Sequence, residues 1–240
     1  MSICPTCGGN FDPRFVDEPC PTCGKQYGRA VMKKAVKMNV AKSSNLNIPQ
    51  NYIGKEWSKA LLLESKKNDK NQPMLNKLAN LMELIHESFA VGKLPPGSAM
   101  IIAPPNYSKV TWAFSCMQLA QAKGMTVAPF LDTVELNRFM MIAADKPFHK
   151  IYKLMDYESY ITADVCFVTV TKTYKNQEAF RIIVELLDTR SRKGLPTFFI
   201  SRFDLSTLCK WDNLGHFNAL KEQHFSEDKN KLPVVCQYFK

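Results

Sequence analysis

The sequence predicts an α/β fold in which a parallel sheet carries helices on both faces. Short apolar runs bounded by proline or glycine occur from residue 99 onward, and such runs are typical of buried strands. Stretches with the spacing of amphipathic helices lie between them. Because strand and helix patterns alternate, parallel strands joined by crossover helices are favoured. The chain has 240 residues, of which 45% are hydrophobic, so it can build the core of one such domain.

The predicted elements follow in chain order. A helix begins near Gln72 and ends near Gly92, because apolar residues recur there at steps of three and four. We predict strands at residues 99–103, 126–130, 164–170 and 197–201, and helices at residues 111–123, 132–144 and 177–192. The apolar run at residues 232–239 is expected to add an edge strand.

Four cysteines near the N-terminus predict a separate small module at residues 1–24. They form two Cys-Pro-Thr-Cys-Gly repeats, Cys4 with Cys7 and Cys20 with Cys23. In each repeat two sulfurs can face one ion, and the glycine permits a positive φ just after the second ligand. The spacing favours a zinc ribbon whose Zn²⁺ is fully coordinated and therefore structural. Two disulfides or four free thiols are the alternatives.

The remaining cysteines show no ligand spacing, and we expect them to be buried small hydrophobes. They are Cys116, Cys166, Cys209 and Cys236. The sequence shows no signal peptide before Cys4 and no apolar run long enough to span a bilayer, so we expect no membrane partner. These observations predict a soluble protein in a reducing cytoplasm, that of a bacterial host if the chain is encoded by a phage.

Positive charge is concentrated in a connector at residues 25–72. Between Lys25 and Lys77 there are twelve Lys or Arg and three acids, which accounts for +9 of the formal net charge of +10. Such a stretch suits contact with nucleic-acid phosphates. The candidate contact residues are Lys33, Lys34, Lys37, Lys66 and Lys67. A solvated linker is the alternative, and it stays open. Residues 73–240 then form the α/β domain.

Three motifs stand out in the sequence, at residues 48–52, 103–113 and 190–197. They resemble motifs of the DnaC/DnaI-type helicase loaders, which are relatives of the AAA+ ATPases. The family's Ile-Pro-x-x-Tyr segment matches residues 48–52, and its Arg-x-x-x-Gly-x-Pro-Thr stretch matches residues 190–197. Its phosphate loop, Gly-Pro-Pro-Gly-Thr-Gly-Lys-Thr-His-Leu-Ala, stands here as Ala103-Pro-Pro-Asn-Tyr-Ser-Lys-Val-Thr-Trp-Ala113. The resemblance covers residues 48–208. It implies a P-loop/AAA+-like domain, and some loaders of this type carry an N-terminal zinc-binding module that docks on the helicase.

The departures from this pattern fall at the positions that carry the chemistry. The three loop glycines are replaced by Ala103, Asn106 and Ser108, and Val110 stands where a hydroxyl would hold Mg²⁺. We expect Asn106 to tolerate a left-handed backbone, and Ala103 and Ser108 to be strained by it.

Two further replacements concern Mg²⁺ and the attacking water. The strand that should end in two acidic residues ends in Thr169 and Val170, and Arg202 replaces the sensor asparagine. Phosphoryl transfer depends on positioning and charge stabilisation, so the sequence predicts a pseudo-ATPase with no catalytic residue and no ATP requirement. An active ATPase is retained as an alternative only if the alignment of the loop is wrong.

Three other residues belong to the degenerate site or its surroundings. Lys109 remains in the loop and could meet a phosphate, or it could be a surface lysine at a helix start. Arg190 resembles the family's arginine finger, and without a competent nucleotide site we expect it to serve packing or a protein interface. Asp164 is expected to be a strand-edge acid rather than a metal ligand.

The resemblance and the charge together suggest a DNA-replication protein that recruits or loads a replicative helicase on single-stranded DNA. A minimal phage-encoded loader and an inhibitor that caps a helicase or a loader are both compatible with the sequence. The alternative from another class is a zinc-ribbon protein that binds nucleic acid or acts in transcription, with the α/β domain as a scaffold.

Overall fold

Strands and helices alternate through the larger part of the chain. The computed structural model describes residues 2–3, 10–11, 46–142, 152–153, 155–170, 177–211 and 234–238. The chain divides into two compact units, Met1–Ser44 and Asn45–Lys240. In the first unit two short strands, β1 (Ser2–Ile3) and β2 (Asn10–Phe11), pair antiparallel, with Ser2 opposite Phe11.

The second unit contains a parallel sheet and the helices that cover it. Its described strands are β3 (Ala99–Ile102), β4 (Leu131–Asp132), β5 (Cys166–Val170), β6 (Thr197–Ser201) and β7 (Val234–Gln237). Its described α-helices are α1 (Lys59–Ser65), α2 (Gln72–Ala90), α3 (Lys109–Ala122), α4 (Thr133–Ile142), α5 (Tyr157–Thr162), α6 (Gln177–Arg192) and α7 (Leu205–Trp211). A short 3-10 helix spans Gln50–Tyr52.

The five strands lie in the order β4-β5-β6-β3-β7, and all neighbouring pairs are parallel. Strand β3 is an inner strand, with Ile101 opposite Ile200 of β6 on one side and Cys236 of β7 on the other. The carboxyl ends of β3, β5 and β6 therefore meet at one edge of the sheet. The expected edge strand at the C-terminus is confirmed as β7.

Both faces of the sheet are buried, because alternate residues of β3, β5 and β6 enter two different core clusters. Ile101 of β3 packs in a cluster with residues of α2 and α3, including Phe89 and Trp112. Its neighbour Met100 packs in the other cluster with residues of α6, including Ile183. The predicted α/β fold, with a parallel sheet and helices on both faces, is confirmed.

The predicted strand at residues 126–130 is wrong in its position. The structure has a single bridge, Val127 with Val165, and then the two-residue strand β4. Pro129 lacks a backbone N–H to donate, and Phe130 donates its N–H to the carbonyl of Leu46 instead of to a strand. Pairing with β5 resumes only at Leu131.

The boundary predicted at residues 72/73 also needs correction, because the second half of the basic connector belongs to the α/β unit. Leu46, Ile48, Trp57 and Leu62 are all buried in the cluster that contains α2 and α3. Helix α1 packs beside α2, where the Lys59 ammonium lies 2.7 Å from the Glu83 carboxylate.

Two further sequence-based expectations can be checked in the described residues. Cys116 and Cys166 are buried as expected, while Cys209 and Cys236 are half-buried. In the part of the chain that the structure describes, no helix has both the length and the apolar composition needed to cross a membrane.

Candidate functional site

A cleft opens at the sheet edge where β3, β5 and β6 end. One cavity, called the main cavity because the loop after β3 lines it, has a volume of about 410 Å³. A second cavity of about 430 Å³ shares Tyr52, Val110 and Thr169 with it. The main cavity is lined by Tyr52, Pro105, Asn106, Tyr107, Ser108, Lys109, Val110, Thr111, Thr169, Val170, Ile200 and Arg202. The loop at residues 103–109, which joins β3 to α3 and is hereafter the phosphate-type loop, lines the main cavity but not the second one.

The phosphate-type loop keeps two left-handed backbone positions although its glycines are replaced. Asn106 has φ 67° and Ser108 has φ 52°. Both stand where the resembled motif has glycine, so the turn survives at a conformational cost of about 1–2 kcal/mol for a non-glycine residue. The strain expected at Ser108 is present, whereas Ala103 does not have a positive φ.

Lys109 begins helix α3 and turns its side chain back into the loop. Its ammonium donates to the carbonyl oxygens of Ala103 at 2.7 Å and Pro104 at 2.6 Å, and only 6% of the residue is exposed. Burial, together with the nearby charges of Arg202 and Lys66, lowers the pKa of Lys109 to about 8. The expectation of a surface lysine is therefore wrong, because the loop's own carbonyls hold its ammonium.

The positions that would hold Mg²⁺ and orient water carry no charge that could do so. Thr169 and Val170 end β5, and both are buried. Val110 follows Lys109 and offers no hydroxyl. The described residues that line the main cavity include no aspartate or glutamate, although Asp132 and Glu135 line the adjoining cavity. The main cavity therefore offers positively charged side chains that could attract an anion. It offers no pair of carboxylates at the end of β5 that could bind a metal ion.

A cluster of two tyrosines and an aspartate holds the middle of the loop, and sequence reasoning missed it. Tyr107 and Tyr238 both donate their hydroxyls to the Asp69 carboxylate, and their rings lie 4.8 Å apart. The hydrogen bonds from Tyr107, Tyr238 and the Asn71 backbone lower the pKa of Asp69 to about 2. The three members come from distant parts of the sequence, so no local pattern could have indicated their contact. We call this cluster the Tyr–Asp–Tyr latch.

Two of the predicted nucleic-acid contacts lie on the turn beside this latch. Lys66 places its ammonium 4.7 Å from the centre of the Tyr107 ring, and Lys67 is exposed. The Gln72 side chain donates to the carbonyls of Lys66, Lys67 and Asp69. The turn is therefore fixed both to α2 and to the phosphate-type loop.

Arg190 lies at the opposite edge of the sheet from the cleft and is fully buried. Its guanidinium donates to the Thr197 hydroxyl and to the carbonyls of Tyr160, Ala163, Asp164 and Pro196. Those carbonyls precede β5 and β6, so Arg190 joins the amino ends of these strands to α5 and α6. Arg190 was expected to serve either packing or a protein interface. The structure shows packing, because its guanidinium has no exposed surface with which to contact another protein.

Other candidate residues have structural partners. Asp164 accepts hydrogen bonds from the backbone N–H and hydroxyl of Thr126, both at 2.8 Å, as expected of a strand-edge acid. His86 lies 3.0 Å from the Ser115 hydroxyl inside the packing of α2 against α3, and burial lowers its pKa. The predicted zinc ligands Cys4, Cys7, Cys20 and Cys23 and the lysines Lys33, Lys34 and Lys37 lie outside the described residues.

The fold and the cleft together define a P-loop/AAA+-like α/β protein. Its defining parts are a parallel sheet, a loop between an inner strand and a helix, and a lysine at the start of that helix. The solved structure of DnaI has this fold: it matches with a TM-score of 0.50 and 14% sequence identity, over 80% of this chain and 93% of DnaI.

Two other solved structures are similar at lower scores. A DnaC helicase loader matches with a TM-score of 0.45 and 12% identity, over 62% of this chain and 86% of the loader. A putative primosome component from Streptococcus pyogenes serotype M3 matches with a TM-score of 0.44 and 13% identity, over 73% and 86% respectively. No protein-family model matches this sequence, and no curated protein matches it.

Proposed function

We propose that this chain is a DNA-replication protein that binds a replicative helicase and recruits or loads it on single-stranded DNA without hydrolysing ATP itself. The motifs at residues 48–52, 103–113 and 190–197 resemble DnaC/DnaI-type loaders, and the fold is that of DnaI. The observation that carries the proposal is the phosphate-type loop. It keeps its place and its turns, while the residues that would hold Mg²⁺ are replaced and Lys109 bonds to the loop itself.

The zinc ribbon is the proposed helicase-docking module. Its donor set is four thiolates at the spacing that Zn²⁺ prefers. The first pair, Cys4 and Cys7, lies in sequence between β1 and β2, which pair as a hairpin. We predict one tightly bound zinc per chain by metal analysis of the purified protein, lost when Cys20 and Cys23 are both changed to serine. An unchanged zinc content in that variant would contradict the assignment.

Affinity capture tests the function. The tagged full-length chain, and a variant that lacks residues 1–24, are used to capture proteins from the native lysate, and the partners are identified by mass spectrometry. We expect the full chain to capture a hexameric replicative helicase and the truncated chain to lose it while its α/β unit stays folded. Capture of RNA polymerase or ribosomal components instead would favour the zinc-ribbon alternative from transcription or translation. Undiminished helicase capture by the truncated chain would contradict the docking role of the ribbon.

A further inference from the structure

Three cations lie close together where the phosphate-type loop meets the turn after α1. They are Lys66, Lys109 and Arg202, and the charges of Lys66 and Arg202 both reach the Lys109 ammonium. Lys109 is buried and donates to two loop carbonyls. It therefore contributes to this surface mainly through the electrostatic field of its positive charge. Lys66 and Arg202 supply the outward charge.

Both outward cations rest on aromatic rings, which restricts their movement. The Arg202 guanidinium is exposed and lies 4.8 Å from the centre of the Phe203 ring. The Lys66 ammonium lies 4.7 Å from the centre of the Tyr107 ring. A cation held on an aromatic face loses less conformational entropy when it binds an anion, and an arginine so placed keeps its donor edge available.

The Tyr–Asp–Tyr latch fixes the ring on which Lys66 rests. Both tyrosine hydroxyls donate to Asp69, which belongs to the same turn as Lys66. These hydrogen bonds occupy both oxygens of the Asp69 carboxylate, which lies near Lys66. Asp69 therefore remains anionic and its charge still acts on Lys66, but its oxygens accept hydrogen bonds from the hydroxyls, which leaves the Lys66 ammonium available for another anion.

We propose that Lys66 and Arg202, held in place by the Tyr–Asp–Tyr latch, form a binding surface for the backbone phosphates of single-stranded DNA at the mouth of the former nucleotide cleft. This inference rests on the proposed DNA-binding role and specifies its site. The latch positions the surface, and Lys67 and Lys70, which are exposed on the same turn, extend the positive charge away from the cleft.

A polyanion fits this surface better than a free nucleotide does. The loop lysine that would reach a nucleotide is bonded to Ala103 and Pro104, and Thr169 and Val170 provide no carboxylate to hold a metal-bound triphosphate. The available cations instead lie outside the loop and continue along the 66–70 turn. A strand with phosphates at regular spacing can contact several of them at once, and each contact releases counterions.

Titration of a labelled oligothymidylate at several salt concentrations tests the surface. We expect Lys66→Ala and Arg202→Ala each to weaken binding by about three- to tenfold and to lower the slope of log affinity against log salt by about 0.7. Lys123→Ala is the matched control, because Lys123 is exposed at the far end of α3 and carries the same charge. We expect this control to leave the slope nearly unchanged. Equal losses in all three variants would overturn the proposed surface.

A charge-neutral variant tests the latch. In Tyr107→Phe/Tyr238→Phe the Asp69 carboxylate loses both hydroxyl donors and becomes free to pair with Lys66, so we expect weaker oligothymidylate binding at unchanged net charge. Tyr152→Phe is the control, because it also removes a tyrosine–carboxylate hydrogen bond, that of Tyr152 with Glu185. Circular dichroism melting of each variant verifies folding, and Tyr238→Phe alone replaces the double variant if that does not fold. Full-strength binding by folded latch variants would overturn the positioning role.

Two further experiments distinguish a failure of the proposed DNA-binding surface from a failure of the proposed helicase function. ATP without Mg²⁺ is added as a competitor, and displacement of the oligonucleotide at equal phosphate concentration would overturn the preference for a polyanion. Helicase capture is repeated with Lys66→Ala/Arg202→Ala. If the variant still captures the helicase and its DNA binding equals that of the wild type, only the proposed DNA-binding surface is wrong. If the DNA pattern holds and the wild type captures no helicase, only the helicase role is wrong.

Discussion

At the scale of single residues, two basic side chains that sequence motifs assign to nucleotide chemistry are used for internal hydrogen bonding. Arg190 donates to carbonyls at the amino ends of β5 and β6, and Lys109 donates to carbonyls of its own loop. A buried cation is tolerated in such places because several oriented carbonyl dipoles replace its hydration. Carbonyls of the fold therefore hold both side chains, although burial disfavours their charged forms and lowers both pKa values.

Replacing Arg190 should lower the stability of the fold rather than weaken binding to a partner protein. We expect Arg190→Ala to lower the free energy of unfolding by about 3–5 kcal/mol, because several buried carbonyls lose their donor. Arg192→Ala is the control: Arg192 is exposed and pairs with Asp188 at 2.7 Å, so its loss should change stability by no more than about 0.5 kcal/mol. Denaturant unfolding measures both. Similar small effects in the two variants would contradict the packing role.

Lys109 should make stability depend on pH in the alkaline range. Its pKa falls from 10.5 in the unfolded chain to about 8 in the folded one, so between these values the unfolded chain binds more protons. Stability from this residue therefore rises as the pH increases from about 8 to about 10.5, by roughly 1–3 kcal/mol. Lys109→Met should lose that rise. Denaturant unfolding of both proteins at about pH 7 and pH 10 gives the difference, and equal changes in the two would contradict the burial of the ammonium.

At the scale of elements, local patterns predicted α6 and β6 with the bounds that the structure shows, because periodicity and flanking residues determine both. They failed where the partner is distant in sequence. Residues 126–130 resemble a strand, but Pro129 and the bond from Phe130 to Leu46 interrupt it. The burial of Trp57 among lysines depends on α2 and α3, and no local pattern reveals it.

The candidate site shows the same division. Sequence predicted the position of the phosphate-type loop and allowed the left-handed turn at Asn106, because aligned motifs carry that information. It could not predict the Tyr–Asp–Tyr latch, since Asp69, Tyr107 and Tyr238 meet only in the folded chain. The binding of Lys109 by its own loop likewise requires the three-dimensional path of residues 103–109.

The position of the domain boundary leads to a direct prediction about truncation. A chain that begins at Asn45 keeps Leu46, Ile48, Trp57 and Leu62, and we expect it to unfold cooperatively on heating. A chain that begins at Pro73 loses all four buried side chains. Each contributes about 1.5–3 kcal/mol, and together they approach the stability of a typical domain. Scanning calorimetry compares the two. A cooperative transition in the shorter chain would contradict the assignment of residues 45–72 to the α/β unit.

At the scale of the whole molecule, the chain combines a DnaI-like fold with a strongly basic composition and a cleft altered at its chemical positions. Most of the net charge lies in residues 25–77, part of which packs beside the cleft. The proposed division of labour follows from this arrangement. We propose that the cysteine module docks on the helicase, that the basic turn and the cleft mouth hold DNA, and that release comes from a nucleotide cycle other than this chain's own.

The most direct measurement is ATP hydrolysis by the purified full-length chain at saturating Mg²⁺ and ATP, with folded Lys109→Ala measured beside it. The proposal predicts no turnover in the wild type above that of the variant, because the Mg²⁺ ligands and the water-orienting carboxylate are replaced. Mg²⁺-dependent hydrolysis that disappears in Lys109→Ala would contradict the claim that this chain uses the loader fold without ATP hydrolysis.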